Sequence, residues 1–136
     1  MAGTTIGKFA VVGKLGTGAH STILQVRRNA DFKNYALKVV QIDGEEEMKF
    51  LEQARHEFRV AQMLDHPSLI KIYALESARD WLFRVRKVHL LIEYVEGKTL
   101  DTYPRFPIPK LVQIFERVAA GMVHMHRRHV DRKSVV

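Results

Sequence analysis

Two kinds of residue in the first half of the chain are suited to binding phosphate groups. The first is a run of small residues at positions 16–21, Gly16-Thr17-Gly18-Ala19-His20-Ser21. Because glycine lets a backbone lie close to a ligand, consecutive N–H groups in such a run are able to donate to phosphate oxygens. The second is Lys38, whose ammonium would need a counter-charge to hold it beside phosphates. The carboxylate of Glu57 is the candidate for that role.

The segments around the small-residue run read as two strands. Residues 9–15 and 22–27 are short apolar runs, and the glycines between them predict a hairpin with a flexible tip. Dinucleotide-binding and Walker-type loops instead run from a strand into a helix. The pattern therefore argues against a Rossmann domain.

The rest of the chain supplies three more strands and two helices. Residues 35–42 predict a third strand, in which alternation places Lys38 on the same face as Ala36. The acidic run at 45–47 opens a long helix, since carboxylates favour a helix N-terminus. Residues 69–75 and 87–95 predict two further strands, and Ile108-Pro109 opens a last helix. The expected order is five strands, with a helix after the third, followed by a helical region.

Composition excludes several other classes of protein. The 136 residues contain no cysteine, so there is no disulfide framework and no thiolate metal site. No apolar run reaches the length of about eighteen residues that a membrane span needs, and no basic leader is present. We therefore expect a cytoplasmic location and no membrane partner. The histidines at 124, 126 and 129 lack further ligands of matching geometry, so we expect structural roles and no metal site.

The net charge of +7 raises the alternative of a nucleic-acid-binding domain. The basic residues are dispersed, and they form no stripe interleaved with aromatic residues of the kind that single-strand binders use. A solvated basic surface is the favoured interpretation, and no nucleic-acid partner is expected.

Six short motifs follow one another along the chain: residues 16–23, Ala36-Leu37-Lys38, Glu57, residues 65–70, residues 90–97 and residues 111–129. They resemble, in that order, the glycine-rich loop, the third-strand lysine motif, the helix C glutamate, the connection after helix C, the fifth strand with the hinge, and helix E of the protein kinase family. The resemblance is to eukaryotic-type serine/threonine kinases and extends through helix E. Ser21 departs from the pattern, because it replaces the third glycine of the loop.

The resemblance implies a fold and a division of the chain. The fold class is α+β: a five-stranded antiparallel sheet with helix C, a hinge, and the first helix of an incomplete helical lobe. Residues 1–95 would form the kinase N-lobe and hinge, and residues 96–130 would begin the C-lobe with the helix D region and helix E.

The resemblance also implies an ATP site. Lys38 would bind the α- and β-phosphates while paired with Glu57, and the loop amides would cover the phosphates. Ile92 would be the gatekeeper, and Thr99 or Asp101 would face the ribose. The implied ATP-binding residues are Leu15, Gly16, Thr17, Gly18, Ala19, His20, Ser21, Ile23, Ala36, Lys38, Ile92, Glu93, Tyr94 and Val95.

Phosphoryl transfer in kinases also needs a catalytic aspartate, an asparagine and a metal-binding aspartate after helix E. None of these motifs occurs in the sequence, so the 136-residue chain alone is expected to be inactive and to hold no Mg²⁺ ligand. The parent would transfer the ATP γ-phosphate to serine or threonine of proteins. The alternative is a pseudokinase or an ATP-binding scaffold module.

The last six residues, Asp131-Arg132-Lys133-Ser134-Val135-Val136, resemble the translation of a common short-read sequencing adapter. We expect residues 131–136 to be a non-native tail, and the coding DNA would test that expectation.

Overall fold

The structure is a computed structural model that describes residues 5–98, 100–103 and 105–129. The strands are β1 (Thr5–Ile6), β2 (Phe9–Thr17), β3 (Ser21–Arg28), β4 (Asn34–Gln41), β5 (Ile72–Arg79) and β6 (Val85–Glu93). The helices are α1 (Met48–Gln62) and α2 (Ile108–Arg127), with 3-10 turns at Glu45–Glu47 and Leu100–Thr102. The expected tail at 131–136 and the ribose candidate Thr99 lie outside the described residues.

The strands form one antiparallel sheet in the order β1-β2-β3-β4-β6-β5. Helix α1 connects β4 to β5. These two strands are not paired with each other, because β6 lies between them and pairs with both. The α+β class and the antiparallel sheet predicted from the sequence are confirmed, but the sheet has six strands instead of five. The additional strand, β1, is followed by a turn at Gly7 (φ 56°) and pairs with β2, with Thr5 opposite Ala10. A strand of two residues is too short to produce an alternating pattern.

The strand predicted over residues 69–75 is observed further along the chain, as β5 (Ile72–Arg79). Leu69 N–H donates to the His66 carbonyl, so the apolar residues just after Pro67 belong to a turn. Ser77 and Ala78 instead extend the strand by pairing with β6. Pairing with a partner strand decided these boundaries, and hydrophobicity did not.

Helix α1 packs on one face of the sheet. Its buried residues Leu51 and Ala54 contact a cluster that includes Val40 of β4 and Leu90 of β6. Leu51 is 1% exposed, and burial of such a side chain stabilises a fold by about 1.5–3 kcal/mol. This contact fixes the helix against the middle of the sheet.

The opposite face of the sheet has its own apolar cluster, made by Phe9, Val26, Tyr35, Leu37 and Val39. The alternation of β4 divides its residues between the two faces. Both faces of β4 are therefore buried, and this strand is the centre of the lobe.

Helix α2 contacts the rest of the structure at the segment between α1 and β5. Gly121 is buried there, and a Cβ atom at this position would lie 3.3 Å from side-chain atoms of both Ser68 and Leu69. Nearby, the Asp65 N–H donates to Nε2 of His124 over 3.0 Å. Much of the remaining apolar surface of α2 is exposed, including Phe115 at 61% and Met122 at 63%.

Candidate functional site

Lys38 projects from the centre of the sheet on the face that α1 covers. Its neighbours across the strands are Ile23 of β3 and the fully buried Leu90 of β6. Val40, two residues further along β4, belongs to the cluster beneath α1. Alternation therefore directs the Lys38 side chain towards the helix.

Glu57 reaches Lys38 from α1. It follows Ala54 by three residues, so the packed position of Ala54 (3% exposed) sets the side of the helix that Glu57 occupies. Lys38 Nζ lies 3.5 Å from Glu57 Oε2. The lysine side chain is 28% exposed and the glutamate 24%, so both ends of the ion pair remain accessible to a solute.

A cavity of about 170 Å³ surrounds this ion pair. Its lining comes from the start of β3, from β4 and from α1, and consists of His20, Ser21, Lys38, Val40, Phe50, Gln53, Ala54 and Glu57. Small-molecule pockets usually exceed about 300 Å³. The cavity is therefore sized for a part of a nucleotide, such as its phosphates, rather than for the whole molecule.

The glycine-rich run forms the tip of the β2–β3 hairpin. Strand pairing continues through Gly16 with Ile23 and Thr17 with Thr22, so the tip consists of only the four residues 18–21. Gly18 N–H donates to the Ser21 carbonyl over 2.8 Å. A Cβ atom at Gly18 would lie 3.0 Å from Ser21 Oγ, so this close turn favours glycine.

The hairpin tip contacts α1 through His20. The imidazole stacks on the Phe50 ring with centroids 4.5 Å apart, and His20 Nδ1 lies 3.9 Å from Glu47 Oε1. The His20 carbonyl accepts a hydrogen bond from Gln41 N–H. Sequence reasoning missed this contact. Phe50, four residues before Ala54, has the spacing of an apolar helix position, and that pattern gives no sign of a contact with His20.

Several of the predicted ATP-binding residues do not line this cavity. Ala36 (8% exposed) is opposite Ile92 of β6, whereas Leu15 is 48% exposed. Ala19 is exposed at the hairpin tip. Glu93 N–H donates to the Lys71 carbonyl, and its Oε1 accepts from Lys71 N–H.

The hinge candidates Tyr94 and Val95 follow the last residue of β6, outside the strand ladder, and Val95 is 63% exposed. Strand pairing therefore does not occupy their backbone groups. Asp101, the second ribose candidate, belongs to the 3-10 turn Leu100–Thr102.

A larger cavity of about 480 Å³ lies on the opposite face of the sheet. It is lined by residues of β1, β2, β4, β5 and β6, among them Phe9, Leu37 and Leu91, and by none of the residues predicted for the site. Cavity volume alone therefore does not identify the candidate functional site. The ion pair and the glycine-rich tip do.

Among residues 5–98, 100–103 and 105–129, no group of three or more histidine, aspartate or glutamate side chains is arranged to hold a metal ion. His124 is occupied by its hydrogen bond from the Asp65 amide, and its ring lies 5.4 Å from that of His66. No helix in the same described residues is long and apolar enough to cross a bilayer.

Comparison with known proteins agrees with this arrangement. The family described as "Protein kinase domain" matches residues 9–133. The chain is 24% identical over 134 residues to the serine/threonine-protein kinase PrkC of Bacillus subtilis (strain 168), a match that covers 95% of the chain and 20% of the relative. It is 25% identical over 139 residues to the Aurora/IPL1-related protein kinase 2 of Caenorhabditis elegans, covering 96% of the chain and 42% of the relative. A third relative, the serine/threonine-protein kinase ATG1c of Arabidopsis thaliana, is 25% identical over 137 residues, with 98% and 18% covered.

The chain thus spans between 18% and 42% of the length of these three relatives. The family match covers most of the chain and includes strands β2 to β6, the glycine-rich hairpin, the Lys38–Glu57 pair and both α-helices. The chain belongs to the protein kinase family.

Proposed function

We propose that this lobe binds ATP, with the phosphates beside Lys38 and beneath the glycine-rich hairpin. The observation that carries the proposal is the ion pair of 3.5 Å between Lys38 and Glu57, accessible from a cavity that the hairpin residues His20 and Ser21 also line. An ammonium held by a carboxylate on a packed helix is a fixed positive charge. Such a charge suits the α- and β-phosphates of a nucleotide.

The other proposed contacts follow from the fold. The amides of residues 16–21 cover the phosphates, while Leu15, Ile23 and Ala36 enclose the adenine. The backbone of residues 93–95 binds the adenine edge, with Ile92 as gatekeeper. Mg²⁺ accompanies the ATP, and we assign none of its ligands to this chain.

For the parent protein we propose transfer of the ATP γ-phosphate to serine or threonine side chains of proteins. Support comes from the similarity to PrkC and ATG1c, both serine/threonine-protein kinases, at 24% and 25% identity. Residues 1–95 are the proposed N-lobe and hinge, and residues 96–130 the proposed start of the C-lobe. We propose that the 136-residue chain binds ATP without transferring phosphate, in a cytoplasmic setting. No specific observation favours the pseudokinase or scaffold alternative.

Calorimetric titration of ATP into the purified chain tests the binding proposal. Lys38→Met should weaken ATP binding by roughly tenfold or more, equal to about 1.4 kcal/mol. Lys33→Met is the matched control, because Lys33 is exposed and its Nζ lies over the ring of Tyr35, on the face of the sheet opposite to Lys38, so binding should be unchanged. Equal ATP affinity in the wild type and the Lys38→Met variant would refute the proposal.

A further inference from the structure

The turn between β5 and β6 exposes three consecutive apolar side chains, Trp81, Leu82 and Phe83, which we call the β5–β6 tip. Trp81 is 84% exposed, Phe83 is 79% exposed and Leu82 is 46% exposed. Exposed aromatic residues that adjoin one another commonly mark an interaction surface. The nucleotide proposal gives this tip no role.

Asp80 gives the tip a defined shape. Its Oδ1 accepts hydrogen bonds from the backbone N–H groups of Leu82 (2.9 Å) and Arg84 (3.0 Å). Asp80 N–H donates to the Arg84 carbonyl, and the Asp80 carbonyl accepts from Phe83 N–H, both over 2.9 Å. Phe83 has a φ of 62°, a left-handed backbone conformation that residues other than glycine rarely adopt. The apolar residues are therefore presented by an ordered turn.

Cationic side chains surround the base of the tip. Arg84 Nε and Arg86 Nε both donate to Asp80 Oδ2, over 3.1 and 2.9 Å, and Arg79 Nη1 donates to the Phe83 carbonyl. Because Arg84 and Arg86 bind Asp80 through Nε, their terminal Nη groups remain for other acceptors. With Lys87, four cationic groups stand against one carboxylate, an excess of three positive charges.

We propose that the β5–β6 tip docks on the surface of an anionic phospholipid bilayer. Trp81 and Phe83 are exposed over most of their surface in a turn at the end of the sheet, and a fluid apolar medium can surround such exposed side chains on several sides at once. Tryptophan favours the membrane interface, and guanidinium groups bind phosphate through paired N–H groups. This peripheral contact differs from the expectation, drawn from the absence of an apolar span, that the segment has no membrane partner.

The acidic run Glu45–Glu47 limits the electrostatic attraction. It lies at the same end of the sheet, because Ile42 N–H donates to the Arg86 carbonyl just before that run begins. The cationic surplus at the tip is therefore local, and insertion of Trp81 and Phe83 must supply a substantial part of the binding. Neutral vesicles should nevertheless bind weakly, since their zwitterionic headgroups carry no net negative charge to attract the cationic groups that orient the tip.

Vesicle flotation together with tryptophan emission tests the proposal. Trp81 is the only tryptophan in the chain, so the emission reports this tip alone. With vesicles of phosphatidylcholine and phosphatidylserine, we expect a blue shift of the emission and flotation of the chain, and with phosphatidylcholine alone little of either. Lys87→Gln should weaken partitioning roughly fivefold, as expected for one basic residue near an anionic surface.

The chain offers a matched control for the aromatic contact. Phe32 is 71% exposed, has a φ of 57° and lies in the β3–β4 turn at the other end of the sheet. Phe83→Ala should reduce flotation severalfold, whereas Phe32→Ala should not. Unchanged Trp81 emission with anionic vesicles, or equal flotation of the two variants, would overturn the membrane proposal.

Discussion

Replacing Glu57 with glutamine removes the negative charge that holds Lys38 while keeping the size of the side chain. At 3.5 Å and an effective dielectric constant of about 20, Coulomb's law gives about 5 kcal/mol for the pair. Both side chains are about a quarter exposed, so solvent screening and side-chain entropy reduce the net value to about 1 kcal/mol. The free energy of unfolding should therefore fall by no more than about that amount.

The larger consequence is expected in ligand binding. Without Glu57 the lysine samples more conformations, and part of the ATP binding energy is then spent on ordering it. A coupling of about 1 kcal/mol corresponds to roughly fivefold weaker ATP binding. Calorimetric titration measures the affinity, and urea unfolding measures the stability.

Two comparisons make this prediction specific. Glu52→Gln is the control, because Glu52 lies on the same helix, is 62% exposed and pairs with Arg55 instead. The double variant Glu57→Gln with Lys38→Met should bind ATP no more weakly than Lys38→Met alone, since both changes remove one interaction. If Glu57→Gln binds ATP as tightly as the wild type, or if the two changes act additively, Glu57 does not position Lys38.

Three further predictions concern the packing and the hydrogen bonds of the fold. Leu51→Ala should lower the free energy of unfolding by about 3 kcal/mol in urea titrations, because it leaves a cavity beneath α1, and a loss below about 1 kcal/mol would contradict this packing. Partial burial acts to raise the pKa of Asp80, but hydrogen bonds from Arg84, Arg86 and the Leu82 amide outweigh it and lower the pKa to about 2. The ionised carboxylate therefore stabilises the fold above its unfolded pKa of about 3.8, and this stabilisation is lost as the pH falls through about 2. Asp80→Asn should accordingly have a lower free energy of unfolding than the wild type at pH 7, and the difference between the two should shrink in acid. Gly121→Leu should displace α2, because the new side chain would collide with Ser68 and Leu69, and the Asp65 amide should then exchange its hydrogen faster. Ala120→Leu, at an exposed position of the same helix, should not change this exchange rate.

The sequence predicted the pairing of Lys38 and Glu57 because both positions obey local periodicities. Alternation along β4 fixes the face of Lys38, and the 3.6-residue repeat of α1 fixes the side of Glu57. The two faces had to meet, since each carries the apolar residues of one buried cluster. For the same reason the order of strands and helices from β2 onwards was predictable.

Contacts that depend on partners distant in sequence could not be predicted in this way. The stacking of His20 on Phe50 joins a loop to a helix thirty residues later, and no local pattern encodes it. The structure of the β5–β6 turn was not predictable either, because the role of Asp80 appears only when its hydrogen bonds from backbone N–H groups are known. The register of β5 likewise depends on β6 and could not be read from β5 alone.

Covalent labelling of lysines with an acyl phosphate of ATP tests the central claim most directly. The reagent binds as ATP does, a nearby lysine amine attacks its acyl carbon, and ATP leaves, so the acylated lysine marks the position of the phosphates. Mass spectrometry of the labelled chain should find Lys38 as the main site, with labelling suppressed by excess ATP. Labelling spread evenly over the exposed lysines, or labelling of Lys38 that excess ATP does not reduce, would contradict an ATP site at the Lys38–Glu57 pair.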